Sequence, residues 1–136
     1  GRHAHLRLTS VNLKDNALGD EGASCLADAL QTQLPGLRYL DLSWNKVGLK
    51  GAAGIGAALK SNNNRLVTLD LDCNDLQDAG ATALATALAG NRSLRTLRAG
   101  GNRIGRLGGS SVAKALPHTS LEIVDLGRNY LGPQGA

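Results

Sequence analysis

Few residues in this chain are of a type and spacing that could do bond-making chemistry. His3 and His5 form a His-x-His pair that could bind metal, but no third ligand lies near them, and solvation at the chain start accounts for both. His118 stands alone in a loop. Cys25 and Cys73 are the two cysteines, and neither belongs to a CxxC or Cys/His cluster. Gly100, Gly101, Gly105, Gly108 and Gly109 look at first like a phosphate-binding loop, yet neither GxxxxGK[ST] nor GxGxxG fits their register. No Ser/His/Asp or Cys/His order suggests a nucleophile. The expectation is a chain with no catalytic residue, no cofactor, no metal and no small-molecule substrate. Asn91-Arg-Ser93 is a glycosylation acceptor sequence, read here as a chance occurrence because the cysteine usage points to a reducing, intracellular setting.

What remains is charge presented for binding. Asp41, Asp70, Asp72 and Asp125, with Arg98 among them, recur at fixed offsets from leucines. Such regularity implies elements that repeat. Five segments align on an Asn that follows a Leu ladder, with the Asn at 16, 45, 74, 102 and 129. The intervals are 29, 29, 28 and 27 residues, and the shared pattern is LxxLxLxxN. Leu40 and Leu42, two apart, share one face of a short strand. The Asn satisfies backbone groups where the chain bends away, so its repetition predicts a buried polar ladder between neighbouring coils.

The second half of each repeat reads as a helix. Leu26 with Leu30, Ile55 with Leu59, Leu84 with Leu88 and Val112 with Leu116 each place a narrow apolar stripe at i and i+4. Asp20 and Asp78 are expected to cap their own helices, while Leu49 and Arg106 occupy that position in the second and fourth repeats. Gly22, Gly51, Gly80 and Gly108 are expected to let each helix start approach the strand of its own repeat. Strands about 4.8 Å apart on one side and helices about 8–10 Å apart on the other must curve the stack. The predicted fold is an α/β solenoid, a horseshoe segment with a parallel sheet on the concave face and helices on the convex face. One domain over residues 1–136 follows, with repeats at about 8–36, 37–65, 66–93, 94–120 and a partial 121–136.

Composition agrees. The 136 residues contain no Phe and no Met, and aromatics are 2%, so the core is built from Leu and Ala. A thin repeated core needs no aromatic bulk, unlike a globule of this length. The net charge of +4 is scattered along the chain without a basic run, which argues against nucleic acid. No apolar stretch approaches 18 residues, so no membrane span is expected. The cysteines lie two repeats apart, beyond disulfide reach, and are expected to be free thiols.

Asn45-Lys-Val-Gly-Leu-Lys-Gly51-Ala, Asn74-Asp-Leu-Gln-Asp-Ala-Gly80-Ala and Asn129-Tyr-Leu-Gly-Pro-Gln-Gly135-Ala carry a further likeness. With their long helical repeat, they resemble the ribonuclease-inhibitor-like class of leucine-rich repeats, across essentially the whole chain. The low cysteine content departs from ribonuclease inhibitor itself and looks more like the repeat region of a NOD-like receptor. The resemblance implies a protein-interaction module, a piece of a larger cytoplasmic receptor or scaffold. It also admits a regulator of a GTPase, like the Ran activator, or of actin, like tropomodulin.

In a curved solenoid the concave sheet is the default binding face. Alternation directs the third, fifth and seventh motif positions into it. Tyr39, Asp41, Asp70, Asp72, Arg98 and Asp125 are the expected partner-binding residues, with the aspartates forming an acidic patch for a basic patch on the partner. Nothing in the fold is expected to require those aspartates, which repel one another, and Arg98 has Asp70 and Asp125 as possible partners. Trp44, just before its Asn, is expected to pack against the turn. Neither end carries a polar capping repeat, so exposed Leu and Ala there would allow self-association.

Overall fold

The computed structural model describes residues 8–61 and 64–131. The His3–His5 pair and the end of the partial fifth repeat lie outside the described residues. The order is β1 (Ser10–Asn12), α1 (Gly19–Thr32), β2 (Tyr39–Asp41), α2 (Leu49–Lys60), β3 (Thr68–Asp70), α3 (Gln77–Leu88), β4 (Thr96–Arg98), α4 (Arg106–Ala115), a 3-10 turn (Leu116–His118) and β5 (Ile123–Asp125). The five strands form one parallel sheet in sequence order. Register is unbroken: Tyr39 pairs with Thr68, Leu40 with Leu69 and Asp41 with Asp70. Hydrogen bonding continues past the strands, where Leu42 N–H donates to Asp70 O at 2.8 Å and Trp44 N–H to Asp72 O at 3.0 Å.

The core is the expected one. Leu37, Leu40, Leu42, Leu66, Leu69, Leu71, Leu94 and Leu97 are fully or almost fully buried from the strand side. Leu30, Ile55, Leu59, Leu84 and Leu88 meet them from the helices. The Asn ladder locks successive coils. Asn74 Oδ1 accepts from Asn45 N–H and Val47 N–H, both at 2.9 Å, and its amide donates to Leu42 O and Leu71 O at 3.0 Å. Asn45 does the same one coil earlier, accepting from Asn16 and Leu18 and donating to Leu13 O.

The helix starts differ from expectation. Asp20 and Asp78 do not cap their own helices; no side chain caps α1 or α3. Asp20 Oδ1 instead accepts from Gly48 N–H at 2.7 Å and Gly51 N–H at 3.0 Å, at the start of α2. Asp78 Oδ1 serves Gly105 and Gly108 at the start of α4 in the same way. The helices that lack an acidic first turn, α2 and α4, are thus the ones capped from the repeat before. Gly51 and Gly108 make room for this carboxylate: a Cβ there would stand 2.9 Å from Asp20 Oδ1 or 2.7 Å from Asp78 Oδ1. The close approach is therefore to the preceding helix and to Val47 or Ile104, not to the repeat's own strand.

The fourth repeat is the loosest. α4 ends at Ala115 and tightens into the 3-10 turn, because Pro117 has no N–H to carry the α-helical ladder on; Leu116 keeps helical backbone and is 37% exposed. Ala99 stands where four repeats have Leu13, Leu42, Leu71 and Leu126. A cavity of about 20 Å³ lies beneath it, lined by Ala99, Leu97, Ile104, Leu84, Val112 and neighbouring side chains.

Candidate partner-binding face

The centre residue of each strand points into the core, so its flanking residues form two rows on the opposite face of the sheet. Tyr39 and Thr68 are half-buried there, Arg98, Ile123 and Asp125 exposed. The expected site residues do share one face, on adjacent strands. Their freedom differs. Asp41 is only 7% exposed; its Oδ1 accepts from Ser43 N–H at 2.9 Å and Ser43 Oγ–H at 2.6 Å. Asp70 accepts from Asp72 N–H and Asp125 from Gly127 N–H, each at 2.9 Å, as Asn12 does from Lys14 N–H. The fifth-position carboxylates therefore close the bend that ends each strand. The fold does require a short acceptor there, which the repeat pattern alone did not reveal.

Arg98 breaks that column and leaves Gly100 N–H without a local acceptor. Asp72 Oδ1 reaches across from the neighbouring coil to supply one, at 2.8 Å. Arg98 pairs with Asp125, Nη1 to Oδ2 at 3.7 Å. Three carboxylates close together leave a mark on titration. Burial raises the Asp70 carboxyl above its ordinary range, and Asp72 and Asp41 add to the rise against the pull of the Asp72 N–H and Arg98. Burial, then Asp41 and Asp70, raise the Tyr39 phenol, whose hydroxyl lies 3.5 Å from Asp41 Oδ2.

Trp44 corrects the sequence reading. It does not pack against the turn: its side chain is 55% exposed. Its backbone is left-handed, φ +59°, as at the same motif position in Asp15, Cys73, Gly101 and Arg128. Trp44 shares an open cleft at the end of the strands with Asp15, Lys46, Cys73, Asp75 and Arg103. Cys25 is exposed, Cys73 half-buried, and both thiols are free. Among the described residues, no group of three or more His, Cys, Asp or Glu is placed to hold a metal ion. Nor is any helix long and apolar enough to cross a membrane.

The five coils seen in space have their counterpart in sequence. A leucine-rich-repeat pattern matches residues 7–27, 34–56 and 62–85, half of the chain. The chain belongs to the leucine-rich-repeat family. No curated protein sequence matches this leucine-rich-repeat chain. Solved structures do. It is similar to leiomodin-1 actin-binding site 2, with a TM-score of 0.80 and 24% identity over 93% of this chain and 73% of that one. It is also similar to the C-terminal domain of tropomodulin from Caenorhabditis elegans, with a TM-score of 0.78 and 17% identity over 98% of this chain and 81% of that one. At such identities the likeness is one of fold.

Proposed function

We propose that this leucine-rich-repeat chain is a non-catalytic protein-interaction module, one domain in repeats at about 8–36, 37–65, 66–93, 94–120 and 121–136. Its partner binds the concave sheet. Tyr39, Asp41, Asp70, Asp72, Arg98 and Asp125 form the contact surface, and Trp44 stands at its rim. The observation that carries this reading is the exposed Trp44 ring at the rim of a face where Asp70 and Asp72 stay half-exposed, with no described element laid over them. Aromatic anchors ringed by polar groups dominate interface energies. Asp41 serves through its fixed position more than its charge; Asp70 and Asp72 are the carboxylates that meet a basic patch on the partner. The ribonuclease-inhibitor-like class and a cytoplasmic receptor or scaffold as the parent protein belong to the same reading. Affinity capture from a lysate tests it, comparing the native chain with an Asp70→Asn/Asp72→Asn variant. Partners lost from the variant support the concave face; an unchanged set overturns it.

A second reading is regulation of actin. Its support is the actin-binding site in the name of the leiomodin-1 structure, matched over 93% of this chain. Co-sedimentation with actin filaments and a pyrene-actin elongation assay decide between the two readings. Saturable binding or altered elongation favours actin; neither favours a different protein partner.

A further inference from the structure

Four of the fifteen basic residues scattered along the sequence are gathered by the fold on one edge of the sheet. Each coil returns from its helix to its next strand along that edge. The returning segments 33–38, 64–67, 89–95 and 116–122 contribute Arg38, Arg65, Arg92 and Arg95, against one carboxylate, Glu122. The opposite edge, where strands end, is more nearly balanced: Lys14, Lys46, Arg103 and Arg128 stand with three carboxylates, Asp15, Asp72 and Asp75.

The arginines are close together. Arg38, Val67, Arg95 and Glu122 form one ladder immediately before the strands: Val67 N–H donates to Arg38 O, Arg95 N–H to Val67 O and Glu122 N–H to Arg95 O, at 2.7, 2.8 and 2.7 Å. At about 4.8 Å per strand, Arg38 and Arg95 are rooted about 10 Å apart, with Arg65 and Arg92 on the flanking loops. Arg65 and Arg92 are exposed. Arg38 and Arg95 are tethered, Nη1 donating to Gly36 O at 3.0 Å and to Arg92 O at 3.1 Å. Arg95 Nε also lies 3.6 Å from Glu122 Oε2, an exposed pair with which a partner's carboxylate would compete. A tethered guanidinium has less freedom to lose when its remaining donors are engaged. Favourable interaction with helix C-termini does not account for the cluster, since that effect fades beyond the last turn. Arg38, Arg65 and Arg95 come five or more residues after α1, α2 and α3 end.

We propose that this edge is a second docking surface, which takes an extended acidic segment, rich in Asp and Glu, of a protein partner. Paired guanidinium donors match carboxylates two at a time. A row about 10 Å long spans three or four residues of extended chain. Single-stranded nucleic acid is disfavoured because no Trp, Tyr or Phe stands on this edge to stack bases, and His118 is a lone ring there: Tyr39 lies on the sheet face, and Trp44 and Tyr130 follow the strand ends. The surface is separate from the concave one, so either stands if the other fails.

The test uses the whole chain and a fluorescent peptide of alternating Asp and Glu, with a single-stranded oligonucleotide and phosphatidylserine vesicles as parallel probes. The peptide is expected to bind at low salt and weaken steeply as salt rises. Arg65→Glu/Arg92→Glu should lower its affinity at least tenfold with an unchanged thermal midpoint, and Asp70→Asn/Asp72→Asn should not lower it. Absence of peptide binding, an unaffected double variant, or tighter binding of the oligonucleotide or the vesicles overturns the proposal.

Discussion

Asp20 lies in the first turn of one helix and caps the next: its Oδ1 accepts from Gly48 N–H at 2.7 Å, across a full repeat. Asp78 and Gly105 stand in the same relation two repeats later, also at 2.7 Å. The solenoid is therefore joined in pairs, the odd helix supplying the carboxylate that the even helix lacks. Asp20→Ala and Asp78→Ala should each cost about 1 kcal/mol in urea unfolding. The loss belongs to the following coil. Amide exchange should accelerate at Gly48 and Gly51 in Asp20→Ala, while the start of α1 stays as it was. Faster exchange at α1 alone would show that each Asp serves its own helix.

The Asn ladder predicts a larger effect. Asn45→Ala leaves the Asn16 and Leu18 N–H groups without their side-chain partner, while Leu13 O keeps only the Asn16 amide. Asn45 itself is fully buried, while the groups it serves are only partly so. Each orphaned group costs about 1–3 kcal/mol, and roughly 2–4 kcal/mol in total is expected from denaturant unfolding. A loss under 1 kcal/mol would mean that the ladder relaxes around the gap.

The fourth coil offers a gain. Ala99 interrupts the Leu column and stands over the cavity shared with Leu84, Ile104 and Val112. Ala99→Val adds two methyl groups to an apolar void. It should raise stability by about 1 kcal/mol, read as a higher thermal midpoint. A lower midpoint would show that the void is too narrow and the added methyls strain α4.

Asp70 predicts a dependence on pH. Its folded carboxyl titrates above the ordinary value of 3.8, so the folded state holds the proton more tightly than the unfolded chain. Stability from this group therefore falls as pH rises through the folded value, and is regained on acidification toward 3.8. Asp70→Asn keeps an oxygen for Asp72 N–H and drops the charge. The variant should be more stable than the native chain at neutral pH, with the difference shrinking as pH falls. A variant less stable at pH 7 would mean that the Asp70 charge is held favourably, by Arg98.

Strand positions, stripes and the ladder were legible because each rests on a period: Leu every second residue, Leu every fourth, Asn every 27 to 29. Relations between coils were not. Asp20 and Gly48 are 28 residues apart, and no single repeat shows that the acceptor and the donor belong to different coils. The role of Asp72 is similar, for it answers a vacancy created by Arg98 in the next coil. The acidic row could be placed on its face from alternation alone, yet how much of its charge is engaged in strand-end bends depends on backbone direction. The basic edge escaped notice because residues far apart in sequence meet only when coils stack.

Trp44 separates packing from binding most cleanly. A large side chain before the Asn suggested a packed turn, whereas the ring is 55% exposed on a backbone with φ +59°. A non-glycine residue there carries about 1 kcal/mol of strain. Gly101 occupies the equivalent position in the fourth coil with φ +65°, so glycine fits the bend. Trp44→Gly should therefore leave the thermal midpoint unchanged or slightly raised. If the ring is a binding anchor, the same variant should lose at least tenfold in affinity for the captured partner. A midpoint lowered by several degrees would restore the packing role. An unchanged midpoint with unchanged affinity would move the contact surface away from this rim, toward Tyr39 and Asp70 at the centre of the sheet.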